Sequence, residues 1–126
     1  MASSGLTLDV GGYSTGLTAL AGGAAPTLAA NTMSSGVNVI STCATTGDSA
    51  ILPASQPQGA RVTVVNTVAT VTVDMYPNTG GTINGGTVTT GQRGIATQTG
   101  ATFVQVGTDG LTWVADNTIA AATELL

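Results

Sequence analysis

Cys43, six acids and two arginines are the side chains of this chain with the chemistry for catalysis or ligation. The acids are Asp9, Asp48, Asp74, Asp109, Asp116 and Glu124, the cations are Arg61 and Arg93, and histidine and lysine do not occur. Without histidine, Ser-His-Asp and Cys-His relays are excluded, and so are zinc sites built on histidine or on several cysteines. Acid-base work by two carboxylates would need acids distant in sequence to converge in space. Asp48, Asp74, Asp109 and Asp116 each stand beside a turn or in a polar position, where aspartate usually forms turns or faces solvent. No EF-hand spacing occurs. The run TGGTINGG at 79–86 follows a strand pattern but opens no helix and carries no lysine, so it is not a phosphate-binding loop. Its glycines read as turn formers that supply positive φ. No metal or cofactor is implied.

Cys43 is the single cysteine, so no intrachain disulfide can form. It reads as a small core residue in a strand, with an interchain bridge or a reactive thiol as the alternative. Three rings could serve recognition. Trp113 reads as core packing, with a sugar-stacking platform as the alternative. Tyr76 stands at a strand end beside Pro77, and Tyr13 lies in an N-terminal segment where it can anchor a neighbouring subunit.

Charge narrows the partners. Only 6% of the 126 residues are charged, against about 25% in ordinary soluble domains. The net charge of −4 is scattered. Nucleic-acid binding and docking on an anionic membrane both need clustered cations, and neither is expected. A surface of Thr, Ser, Asn, Gln and Gly has little charge repulsion and suits packing against protein. No cationic segment precedes an apolar run near residue 1, which predicts no secretory signal. No apolar run reaches the roughly 20 residues of a membrane helix. The positive mean hydropathy of +0.36 comes from Ala and Val.

These groups must be positioned by strands. At 36–43, Val37 and Val39 share one face, with Asn38 and Ile40 on the other. A turn at 46–48 leads to Ala50-Ile51-Leu52, which Pro53 ends. Residues 61–66 form a strand with Val62 and Val64 together. Residues 69–76 form the clearest half-buried strand, with Val71, Val73 and Met75 on one face, and Asn66-Thr67 before it predicts a tight hairpin. Ile83 is an apolar plug between the glycine pairs 80–81 and 85–86. Short strands are expected at 87–89 and 94–97, then at 102–106 with Val104 and Val106 facing together. Asp109-Gly110 is a turn, and Leu111, Trp113 and Ala115 alternate in the last strand.

About eight short strands separated by turn signals predict an all-β fold, a β-sandwich or jelly-roll-like domain over residues 36–115. Residues 1–35, rich in Gly, Ala, Ser and Thr, read as an extended N-terminal arm, in which Ser14 could cap a helical turn carrying Leu17 and Leu20. Residues 116–126 read as a short C-terminal tail. Leu6, Leu8, Tyr13, Leu17 and Leu20 in the arm, and Ile119, Leu125 and Leu126 in the tail, are the candidate partner-binding residues.

The order GDSAILP, ARVTVVN, VTVDMYPNTGGTINGG and ATFVQVG, with Phe103 before the final turn and Trp113 on the closing strand, resembles a β-domain recurrent in virion proteins of tailed bacteriophages. The likeness spans residues 36–115. A chain of one such domain with an arm at each end is most similar to a capsid decoration (cement) protein. With so few catalytic groups, the chain is expected to be no enzyme. The resemblance implies a virion location on the outer capsid surface after synthesis in the host cytoplasm, and binding to the major capsid protein so as to bridge shell subunits. Strands rich in Val and Thr, with only two cations to discourage edge pairing, favour self-association as a homo-oligomer, a trimer over a dimer. A glycan- or receptor-binding domain of a tail fibre or adhesin is the alternative.

Overall fold

A computed structural model describes residues 12–20, 32–86 and 93–115. They are all β, with no helix among them, and form nine strands. These are β1 (Gly12–Thr18), β2 (Gly36–Thr42), β3 (Ser49–Ile51), β4 (Arg61–Asn66), β5 (Val73–Tyr76), β6 (Thr82–Ile83), β7 (Arg93–Ile95), β8 (Thr99–Gln105) and β9 (Thr112–Ala115). One sheet has six strands in the order β1-β2-β4-β8-β9-β6; the other has three, β3-β5-β7.

From β2 to β8 the chain changes sheet at every strand. Connections through the other sheet bring β4 back parallel to β2 and β5 back parallel to β3, whereas β7 returns antiparallel to β5. A crossing replaces the hairpin expected at Asn66-Thr67, because β4 and β5 lie in different sheets. Asn66 instead closes a local turn and ties the sheets together. Its Oδ1 accepts from Val68 N at 2.9 Å, and its Nδ2 donates to Val71 O at 2.8 Å and to Ile95 O at 3.0 Å. The strand is accordingly shorter than 69–76, beginning at Val73. Consecutive strands within one sheet meet as an antiparallel pair at β8 and β9, where Asp109-Gly110 turns the chain with Gly110 at φ 78°.

The core draws on both sheets: Ile40, Val62, Val64, Ala101, Phe103 and Trp113 from the larger, and Val73, Met75 and Ile95 from the smaller. Each such aliphatic side chain stabilises the fold by roughly 1.5–3 kcal/mol relative to exposure. The alternation is as expected in β4, whose Val62 and Val64 are fully buried. β5 and β9 also bury the expected faces, with Val73 and Met75, and Trp113 and Ala115, inside, but β2 and β8 bury the less apolar face. In β2 it carries Asn38 and Ile40, and in β8 Ala101, Phe103 and Gln105. Val37, Val39 and Val104 are half-buried, and Val106 is exposed. Asn38 is tolerated inside because its amide bonds the Ser34 backbone and the Thr63 carbonyl.

The described part of the N-terminal segment joins the larger sheet. No helical turn forms at Ser14; residues 12–18 are an edge strand parallel to β2. The register slips by one residue between Ser14 and Leu17, beside Gly16 at φ 70°. This bulge returns Leu17 to the inner face opposite Ile40, where it packs against the core. Ala19 and Met33 are buried in that core. Gly36, opposite Gly12, has φ 93°, and a Cβ there would overlap the Gly12 backbone. The close approach of β1 to β2 therefore requires glycine at this position.

Candidate interaction surface

Among the described residues, several of the groups that could do chemistry hold local structure instead. Asp109 accepts from Leu111 N at 2.9 Å and from the Thr112 hydroxyl at 3.0 Å, and these bonds hold its carboxyl below the usual range. Asp48 accepts from Thr45 N. Burial pushes the Asp74 carboxyl up. Among the described residues, no three His, Cys, Asp or Glu side chains gather in a way that could hold a metal ion. Arg93 donates to the Gly94 carbonyl.

Cys43 directly follows β2, buried in the core as expected, and its thiol donates to Thr45 O at 3.4 Å. Burial first, then the Asp48 carboxylate, push its pKa up, with a smaller opposing bond at the Thr45 backbone. The native thiol is thus protonated and inert near neutrality. A raised thiol pKa contributes stability that is complete below the unfolded value and is lost as pH rises through the folded one. At about pH 8, an aromatic disulfide reagent is expected to leave Cys43 unmodified until urea unfolds the chain. Stoichiometric labelling of folded protein would contradict this placement.

Both large rings expected to matter for recognition, apart from Tyr13, lie inside. Trp113 is fully buried and Tyr76 nearly so, which removes the sugar-stacking platform. The turn at Ile83–Gly86 helps to seat Trp113. Asn84 and Gly85 both have positive φ, and Ile83 and Gly86 exchange backbone bonds, as in a type I′ turn. Asn84 N then donates to Trp113 O, and Asn84 Oδ1 accepts from Ala115 N.

What remains exposed lies mainly on the outer face of the six-stranded sheet. Among the described residues, the large hydrophobic side chains most open to solvent are Tyr13, Val106 and Val114, at 69%, 46% and 47%. Cross-strand register places them on one face. Tyr13 pairs with Val37, Val37 with Thr63 and Thr63 with Thr102, so these four form a row from β1 to β8. The Thr63 and Thr102 hydroxyls bond each other at 3.0 Å within it. Arg61, Val104 and Val114 form the adjacent row. An open concavity of about 530 Å³ lies there, lined by Arg61, Thr102, Val104, Val106, Val114 and Ala115. Among the described residues, Arg61 is its one charged lining residue.

No family model, curated protein or solved structure matches the chain.

Of the candidate partner-binding residues, the structure leaves Tyr13 outward. Leu17 turns in to the core. Leu20 is half-buried, and its backbone exchanges two hydrogen bonds with Ser49 at the start of β3. Leu6, Leu8, Ile119, Leu125 and Leu126 lie outside the described residues, as does the strand expected at 87–89. Sequence reasoning missed the outer valines Val104, Val106 and Val114. Their alternation was legible, but it places them on a face without saying which face is buried.

Proposed function

We propose that the chain is a structural interaction protein, a capsid decoration protein of the tailed-bacteriophage kind. It binds the outer head shell and stabilises it by bridging subunits. The observation that carries this reading is the exposed, almost uncharged apolar face of the larger sheet, on a scaffold where Asp48 and Asp109 hold turns and Cys43 is buried in the core. Protein contact suits such a face, since little charge must be desolvated to cover it. The resemblance of residues 36–115 to virion β-domains supports the same reading.

We take the two sheets as the layers of a β-sandwich, since both contribute to one core. The parallel pairs distinguish it from the antiparallel connections of a regular jelly roll. The leucines and isoleucine of residues 1–11 and 116–126 are the candidates for reaching the major capsid protein.

The test is co-sedimentation with undecorated capsids. Pelleting that saturates at a fixed number of copies per shell is expected at about micromolar protein, together with a higher shell melting temperature. Protein that stays in the supernatant with shells present would end the decoration reading.

A further inference from the structure

We propose that the outer face of the six-stranded sheet is a self-interface: two copies pair face to face about a two-fold axis running along the strands, with Tyr13 of each seated in the valine concavity of the other.

The argument rests on a projection and a hollow that share one face. Tyr13 protrudes from edge strand β1 and is 69% exposed. The concavity lies over β4, β8 and β9, on the far half of the same sheet. An isologous interface must present each element and its complement on a single surface, because one patch meets itself. A two-fold axis along the strands exchanges the halves of the sheet but keeps position along the strands. It therefore carries β1 of one copy over β8 and β9 of the other, at the same level. That level matches: Tyr13 belongs to the row that ends at Thr102, a residue lining the hollow.

The chemistry matches as well. A phenol ring entering this hollow meets Val104, Val106 and Val114 on its faces. Arg61 lines the same hollow, and a guanidinium is attracted to the electron-rich face of an aromatic ring. Rings and arginines of this kind dominate interface energetics. Between the two anchors run Val37, Val39 and Val65, half-buried and uncharged, which supply a dry centre. Each Tyr13 contact is made twice in the pair. This assigns a dimer where the sequence reading favoured a trimer. It leaves the leucines of residues 1–11 and 116–126 for a shell, so it can be read without any capsid.

The test is the mass of the full chain in solution by light scattering, with wild type, Tyr13→Ala, Tyr13→Phe, Val114→Glu and the Ala/Glu double variant. Wild type is expected at twice the chain mass at about 10 µM. Tyr13→Ala and Val114→Glu should each raise the dimer dissociation constant by at least about thirtyfold, while Tyr13→Phe stays close to wild type. The double variant should be little worse than either single change, because both remove one contact. Both positions are exposed in the single chain, so the buried emission of Trp113 should be unchanged and report an intact fold. A wild-type monomer at about 100 µM, a trimer, or a dimer indifferent to both substitutions would overturn the proposal.

Discussion

Trp113→Ala is expected to lower the unfolding free energy by about 3–5 kcal/mol, the cost of emptying a large aromatic site in a packed core. Small domains have about 5–15 kcal/mol in total, so the variant should be at or near global unfolding at physiological temperature. The site justifies the upper part of that range. Trp113 is fully buried, and it lies between Gln105 on β8 and Ile83 on β6 as the meeting point of three strands. Its indole Nε1 is buried with no hydrogen-bond partner among the described residues. An orphaned buried donor costs about 1–3 kcal/mol, which a phenyl ring would not incur. Trp113→Phe should therefore fall within about 1 kcal/mol of wild type, the smaller cavity offset by removal of the orphan. Urea unfolding followed by far-ultraviolet circular dichroism measures both. An alanine variant as stable as wild type would show that the ring is not the core residue described.

Gln105→Leu is expected to cost about 3 kcal/mol even though leucine is apolar, similar in size and placed in the core. Gln105 is fully buried, and its amide uses every bonding position it has. Nε2 donates to Gln56 O at 2.9 Å and to Gly107 O at 2.7 Å. Oε1 accepts from Gly107 N at 2.7 Å and from Thr112 N at 3.2 Å. The side chain thereby fastens the loop around Gln56 to the β8–β9 turn. Leucine would leave those backbone groups without partners, at a cost that outweighs its own gain from burial. Hydrogen exchange should locate the damage: amides at Gly107 and Thr112 are expected to lose protection well before those of β4. Uniform protection with unchanged urea stability would refute the role given to this amide.

Much of the local structure was legible. Val62 and Val64, the Asp109-Gly110 turn, the buried Cys43 and Trp113 and the plug at Ile83 all follow from β-branching, period-two alternation and turn chemistry. Tyr13 was legible as an exposed ring because a ring beside glycines and threonines has little local core to enter. Leu17 was not legible as core. Only the bulge at Gly16 turns it back toward Ile40, and a one-residue slip reverses which face a side chain occupies.

The sequence by itself determined that this chain is β, nearly chargeless, and without the residues for histidine-based catalysis, because composition and short-range periodicity are properties of neighbours along the chain. Tertiary structure alone decided strand partners and the sign of each face. Sheet pairing is non-local, so the same turn signals serve a hairpin or a crossing between sheets. Where both faces of a strand carry apolar groups, as with Phe103 and Val104, alternation cannot say which face meets the core. Packing chose Phe103 and left the valines outside, and that choice created the surface on which the proposed interactions depend.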